Sequence, residues 1–190
     1  MYQPVRLLGR GKGGYSYLAQ DPQGRPVVLK KLHHEPCDYY EFGDKMQAEL
    51  SAYETLRRVG IPMPALLAAD EKAEVVVKEY IDGPTVFELV AADSLPPDCL
   101  AALQRMLDKL YPAGLNIDYF PTNFVWRTGE LFYIDYECNP FAPEWSFEQW
   151  GRLYWSHTPQ FEEQAHRLRA ESAQLGEGIL ADLVPGNDGG

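Results

Sequence analysis

The chain has 190 residues, of which 45% are hydrophobic and 24% charged, an ordinary globular composition that excludes a largely disordered chain and predicts a single domain. Its 28 acidic and 17 basic residues give a formal net charge of −11, so an extended nucleic-acid surface is not expected. Three widely spaced cysteines imply no disulfide framework, and no apolar stretch approaches the ~18 residues of a membrane span, which predicts a cytoplasmic protein.

The first 80 residues predict a mainly β unit with one inserted helix. Three strands fit residues 5–32, where a glycine cluster and a turn at 21–24 separate apolar runs. From about residue 41 to 58 the apolar positions follow a helical period. Two further strands are predicted at 65–69 and 74–80.

The remainder of the chain predicts a mainly helical unit. Helices are predicted at 84–90, 97–110, 146–156 and 160–174, and a small hairpin is predicted to turn at Thr128-Gly129. We therefore expect one domain over 1–184, with the change of character after residue 80. The last residues, 185–190, predict a flexible tail.

The glycine cluster at residues 9–14 has the sequence G-R-G-K-G-G and fits the pattern G-x-G-x-x-G. A dinucleotide-binding loop of this pattern is followed by a helix, whereas residues 15–18 are β formers and predict a strand. A glycine loop between two strands can approach phosphates closely because no Cβ intervenes. A plain glycine-rich hairpin turn is the alternative.

Lys30 and Glu49 are predicted to form an ion pair. Lys30 ends an apolar strand, where its ammonium can reach phosphate oxygens. Glu49 falls on the apolar stripe of the predicted helix, which contains Phe42, Met46, Tyr53 and Leu56. A carboxylate on a packing face is costly without a cation, so Lys30 is its natural partner. The alternative is that Glu49 reaches solvent at the rim of the stripe.

Asp118, Asn123 and Asp135 stand at a spacing that suits phosphoryl transfer. Asp118 precedes Asn123 by five residues, and Asp135 follows twelve residues later, behind an apolar run. Such a reaction uses one carboxylate for the attacking group, and an amide oxygen and a second carboxylate for the metal. Three polar residues at this spacing could also arise by chance.

Taken in order, these features resemble the protein-kinase-like fold. They are the glycine loop, V-V-L-K, the helix glutamate, V-V-V-K-E-Y-I-D-G, D-x-x-x-x-N and I-D-Y-E. The chain especially resembles minimal atypical bacterial Ser/Thr kinases, RIO-type kinases and the kinase of the KEOPS complex, and I-D-Y-E also resembles choline and aminoglycoside kinases. The resemblance implies an α+β, two-lobed fold. Because only about 50 residues follow Asp135, a truncated C-terminal lobe is expected.

The resemblance assigns the nucleotide-binding half of the site. It makes Lys30 and Glu49 the phosphate-orienting pair, and ATP the nucleotide. The loop that covers the phosphates would be formed by Gly9, Gly11 and Gly14. The adenine hinge would be the backbone of Glu79, Tyr80 and Ile81.

The resemblance also assigns the acceptor and metal half. Asp118 would orient the acceptor, while Asn123 and Asp135 would bind Mg²⁺ or Mn²⁺. Two departures stand out: Asn116 replaces the usual histidine, so the support of the catalytic loop must differ, and Glu137 replaces a glycine. Glu137 could assist the metal or form a structural salt bridge.

The implied function is ATP- and Mg²⁺-dependent transfer of the γ-phosphoryl group to a hydroxyl, with protein Ser/Thr, including this chain itself, as acceptor. A small-molecule kinase and a nucleotide-binding pseudokinase acting as a scaffold are the alternatives. No peptide-docking platform fits after Asp135, so a protein partner could supply acceptor selection.

Two other patterns have simpler explanations. The segment 33–38 contains two histidines and a cysteine and could suggest zinc, but a polar loop is the simpler interpretation. Three tryptophans on the helix predicted at 146–156 or just before it suggest an aromatic binding box, or else a cap on the core of a short lobe. They are Trp145, Trp150 and Trp155.

Overall fold

The computed structural model describes residues 2–11, 13–33 and 45–175, with side chains described as far as residue 170. Several positions considered above lie outside these ranges. They are Lys12, most of the 33–38 segment, the start of the helix predicted from residue 41, the end of the domain predicted to reach 184 and the tail at 185–190.

A five-stranded antiparallel sheet forms the first part of the chain. Its order is β1-β2-β3-β5-β4, so β3 lies at its centre. The strands are β1 (Gln3–Arg10), β2 (Gly14–Gln20), β3 (Pro26–Leu32), β4 (Leu66–Asp70) and β5 (Val75–Glu79). All five strands agree with the sequence-based expectation.

The helix α1 (Lys45–Val59) is inserted between β3 and β4. Its buried face carries Met46, Ala52 and Leu56 together with Glu49. The helix ends where Gly60 takes a φ of 81° and the amide of Ile61 donates to the carbonyl of Leu56 at 3.1 Å, a glycine-capped helix end. After this turn the carbonyl of Pro62 accepts a hydrogen bond from the amide of Tyr133 at 3.0 Å, and the chain then enters β4.

The second part, as far as residue 175, contains three α-helices and two small two-stranded sheets. Helix α2 (Val86–Ala91) begins with a capping box between Thr85 and Glu88. A large apolar cluster packs α2 and the end of α1 against α3 and the elements that follow it. These elements are α3 (Pro97–Leu110), β6 (Leu115–Asn116), β7 (Phe124–Arg127), β8 (Glu130–Tyr133), β9 (Asn139–Pro140) and α4 (Pro159–Leu175).

The hairpin β7–β8 turns where it was predicted. Arg127 pairs with Glu130, and the two residues between them, Thr128 and Gly129, have φ values of 48° and 85°. Two successive positive φ angles are typical of the tight turns that match the twist of a hairpin. This architecture, a β-rich part with one helix followed by a short helical part, confirms the α+β two-lobed fold class.

The predicted helix at 146–156 is wrong. The structure has a turn at 147–150 and a short 3₁₀ turn at Gly151–Tyr154 here, and another 3₁₀ turn, Pro143–Trp145, just before the segment. The backbone at Gly151 packs so closely that an added Cβ would lie 2.6 Å from the Cβ of Tyr119. Trp155 is buried in the core as expected, whereas Trp145 is 57% exposed and does not cap it.

The linker between the two parts packs tightly against the hairpin. The amide of Trp126 donates to the carbonyl of Pro84 at 3.0 Å, and Ile81 is buried with Val125 and Phe132. Gly83 is required here, because a Cβ at this position would lie 2.4 Å from the carbonyl oxygen of Trp126. Within the described ranges, no helix combines the length and apolarity needed to cross a membrane.

Candidate active site

The glycine loop joins β1 to β2 through a closed turn in which Gly11 and Gly14 exchange backbone hydrogen bonds of 2.9 and 3.4 Å. The glycines serve different needs. A Cβ on Gly14 would lie 2.3 Å from the carbonyl oxygen of Lys31, so β3 requires this glycine. A Cβ on Gly9 would meet nothing within 4 Å. Among the described residues, a Cβ on Gly11 would likewise meet only the carbonyl oxygen of Gly14, at 4.0 Å.

Lys30 connects the sheet, the inserted helix and the segment after β8. Its Nζ lies 2.9 Å from Oε2 of Glu49 and 3.2 Å from Oδ1 of Asp135. Burial would lower the pKa of Lys30, but the charges and hydrogen bonds of Asp135 and Glu49 raise it above its ordinary value. The predicted ion pair is thus present, and it extends to the predicted metal ligand.

The hairpin brings Asn123 and Asp135 together. Asn123 immediately precedes β7, and the amide of Ile134, just after β8, donates to the carbonyl of Asn123 at 2.9 Å. Asp135 is the next residue, so both predicted metal ligands stand at the open end of the hairpin. Burial alone would raise the pKa of Asp135, but Lys30 and Lys78 hold it below its usual value.

The donor chemistry of this pair suits a magnesium or manganese ion. The contacts that Asp135 makes with Lys30 Nζ and the amide of Tyr136 both use Oδ1, which leaves Oδ2 for a cation. Mg²⁺ binds through one or two carboxylates and keeps waters and substrate phosphates as its other ligands. In the described part of the chain, no three His, Cys, Asp or Glu side chains form a metal cluster.

Asp118 lies between β6 and the hairpin, in a loop tied to Asn123. Its Oδ1 accepts a hydrogen bond from the amide of Phe120 at 3.0 Å, and its carbonyl accepts one from Nδ2 of Asn123 at 3.4 Å. Asn116 turns away from this loop, because its Nδ2 donates to the carbonyl of Ala142 at 2.9 Å. The predicted acceptor and metal residues are therefore adjacent, but Asn116 does not support them.

Lys78 is a site residue that the sequence reasoning missed. It is 5% exposed, its Nζ donates to the carbonyl of Ile134 at 2.6 Å, and it lies 4.7 Å from the centre of the Tyr136 ring. Burial and the charge of Lys30 lower the pKa of Lys78 to about 8, against the opposing effect of Asp135 and Glu49. A lysine within the apolar run V-V-V-K was the available signal.

The predicted adenine hinge follows the sheet directly. The amide of Glu79 donates to the carbonyl of Ala65 at 2.9 Å, and β5 ends at this residue. Glu79 is thus the last residue of β5, and the backbone of Tyr80 and Ile81 lies beyond the ladder of the sheet. This position allows their backbone groups to face a bound base.

Removal of Glu49 is expected to cost both stability and nucleotide affinity. Glu49→Ala leaves the Lys30 ammonium buried with Asp135 as its remaining partner, so unfolding free energy should fall by about 3 kcal/mol. Glu54→Ala on the same helix is the control, because Glu54 pairs with Arg57 at an exposed position and should cost under about 1 kcal/mol. Urea titration measures the free energy of unfolding of both variants, and an equal decrease in the two would contradict the prediction.

Comparison with known proteins supplies distant relatives. No protein-family model matches the chain. The chain is 26% identical to KEOPS complex subunit Bud32 of Pyrococcus abyssi, over 70% of this chain and 66% of that protein. It is 27% identical to serine/threonine-protein kinase PknA of Nostoc, over 71% of this chain and 27% of that protein.

A third relative is a probable bifunctional tRNA threonylcarbamoyladenosine biosynthesis protein of Methanosarcina barkeri, 23% identical over 67% of this chain and 23% of that protein. The matches thus span less than two thirds of each relative, and all three relatives are protein-kinase-like. Their agreement with the sheet, the inserted helix and the Lys30–Glu49 pair leads to one conclusion: the chain has an atypical protein-kinase-like fold.

Proposed function

We propose that the chain is a phosphotransferase that moves the γ-phosphoryl group of ATP to a hydroxyl acceptor, with protein Ser/Thr as the acceptor class. One observation carries the proposal. Lys30 bridges Glu49 at 2.9 Å and Asp135 at 3.2 Å, which joins the predicted phosphate-binding half of the site to the predicted metal-binding half. The kinase-like relatives support phosphotransferase activity in general.

The residues of the site have separate proposed roles in binding phosphate and metal. Lys30, held by Glu49, would bind phosphate oxygens beneath the open face of the glycine loop at Gly9 and Gly11. Asp135 and Asn123 would hold Mg²⁺ or Mn²⁺. The ion would neutralise negative charge on the phosphates. Each of these groups makes a contact within the chain that fixes its position.

Asp118 would receive the proton of the acceptor. In the proposed reaction the acceptor oxygen forms a bond to the γ-phosphorus, the bond from phosphorus to the bridging oxygen breaks, and ADP leaves. The carboxylate of Asp118 is held in orientation by the amide of Phe120, so it is placed to take the proton that the hydroxyl loses. Positioning of this kind is most of what a protein contributes to phosphoryl transfer.

Acceptor selection is proposed to involve a protein partner. The Pyrococcus relative is named as a subunit of the KEOPS complex. In the present chain Asp118 lies half-buried in the loop between β6 and the hairpin. A partner that supplies part of the acceptor surface to a single domain of this size is consistent with both observations. We also place the protein in the cytoplasm, as its composition predicts.

The test is incubation with γ-labelled ATP and Mg²⁺, alone and with a cell extract, followed by separation of proteins from small molecules. Label on protein, including the chain itself, supports the proposal. Label on a small molecule other than ATP or inorganic phosphate would show that the acceptor is a small molecule and not a protein. A rise in melting temperature with Mg-ATP but no transfer would indicate a nucleotide-binding pseudokinase, and no rise at millimolar Mg-ATP would overturn the proposal. EDTA in a matched sample tests the need for metal.

A further inference from the structure

A buried tyrosine connects the acceptor loop to the metal-binding segment. The side chain of Tyr133, the last residue of β8, is fully buried. Its hydroxyl donates to the carbonyl of Glu137 at 3.0 Å and accepts a hydrogen bond from the amide of Asp118 at 3.4 Å. One hydroxyl therefore contacts the segment after Asp135 and the backbone of the proposed base.

The ring of Tyr133 is held by an aromatic stack that contacts the same loop a second time. It packs on Phe124, its partner across the hairpin, at 5.2 Å, and Phe124 packs on Trp155 at 5.1 Å. The indole nitrogen of Trp155 donates to the carbonyl of Tyr119 at 2.8 Å. The hydroxyl thus holds the amide of Asp118, and the indole holds the carbonyl of the next residue.

This stack adds support from outside the loop to the hydrogen bonds that the amide of Phe120 and the side chain of Asn123 make with Asp118 inside it. Asn116, two residues before Asp118, donates to Ala142 instead of to the loop. The hydroxyl of Tyr133 donates its proton to the carbonyl of Glu137 at 3.0 Å. Its lone pairs then remain for the amide of Asp118.

We propose that Tyr133 is a positioning residue, which sets the orientation of Asp118 relative to Asp135 through its buried hydroxyl. This inference rests on the proposed role of Asp118 as the group that takes the acceptor proton. The hydroxyl is fully buried and contacts backbone groups, so it acts through the backbone. The distance of 3.4 Å is at the long end for a hydrogen bond, so its loss should change orientation more than stability.

The experiment compares Tyr133→Phe with Tyr136→Phe. Both tyrosines are buried, and the hydroxyl of Tyr136 donates to the carbonyl of Pro64 at 2.8 Å. Each variant therefore loses one buried hydroxyl that donates to a backbone carbonyl, and Tyr133 alone of the two also holds Asp118. The change keeps the ring, so the aromatic stack should persist.

Tyr133→Phe is expected to lower kcat for transfer by about 10-fold or more, with the KM for ATP changed by less than about twofold. Tyr136→Phe should keep kcat within about twofold. Amide hydrogen exchange should quicken around Asp118 in Tyr133→Phe and stay slow there in Tyr136→Phe. Exchange needs no activity, so it measures the positioning separately from the reaction.

Two results would overturn the proposal. One is an unchanged kcat in Tyr133→Phe when the wild type transfers phosphate. The other is exchange around Asp118 that responds equally to both variants. If the wild type shows no transfer at all, the proposed function fails, while the exchange comparison still decides whether Tyr133 holds the Asp118 loop.

Discussion

Asp118→Asn is expected to lower the rate of phosphoryl transfer by about 10²- to 10⁴-fold while leaving nucleotide binding intact. The asparagine oxygen can still accept the hydrogen bond from the amide of Phe120, so the loop should keep its shape. The amide cannot take a proton from the acceptor hydroxyl. The loss should therefore appear in kcat, measured with γ-labelled ATP under saturating nucleotide.

The melting temperature provides the internal control for this variant. Mg-ATP should raise it equally in the wild type and in Asp118→Asn, because Lys30 and Asp135 are untouched. Transfer that survives the change would show that Asp118 is not the proton acceptor. A lost nucleotide shift would instead place Asp118 among the binding residues.

The fold and the order of the site residues follow largely from local patterns in the sequence. The helical period places Glu49 on the packing face of α1, and a carboxylate on such a face needs a cation nearby. In the structure that cation is Lys30. The turn at Thr128-Gly129 fixed the register of the hairpin, which brings Asn123 beside Asp135. In both cases a short-range rule decides a long-range contact.

The missed features depend on contacts that no local pattern contains. In the sequence, Lys78 is a single polar residue in an apolar strand. In the structure, its ammonium donates to the carbonyl of Ile134, 56 residues away. In the sequence, Tyr133 has the pattern of an ordinary core aromatic residue. In the structure, its hydroxyl accepts a hydrogen bond from the amide of Asp118. The aromatic period at 146–156 favoured a helix, but close packing of Gly151 on Tyr119 breaks the segment into short turns.

Asp135 is the carboxylate whose loss would most disturb the charge balance of the site, because it faces two buried lysines. Lys30 and Lys78 face Glu49 and Asp135, so two positive charges meet two negative ones before any ligand binds. Loss of one carboxylate leaves an excess positive charge in a buried place, which is costly. It also removes the oxygen that suits a divalent ion.

Asp135→Asn is therefore expected to abolish the metal-dependent part of nucleotide binding and to lower transfer by on the order of 10³-fold, since metal ions contribute several kcal/mol to such reactions. The rise in melting temperature with Mg-ATP should shrink to the value obtained with ATP and EDTA. Asp108→Asn, at an exposed position of α3 where the carboxylate accepts from Gln104, is the matched control and should change neither quantity.

The difference in stability between the wild type and Asp135→Asn is expected to depend on pH. The pKa of Asp135 is below its ordinary value in the folded chain, so the ionised carboxylate adds stability above about pH 4, the range in which an unfolded aspartate is also ionised. That contribution is lost as the pH falls through the folded pKa. The wild type should be more stable than Asp135→Asn at pH 7, and the difference should narrow below about pH 4. A difference that is constant with pH would contradict the charge pairing with Lys30 and Lys78.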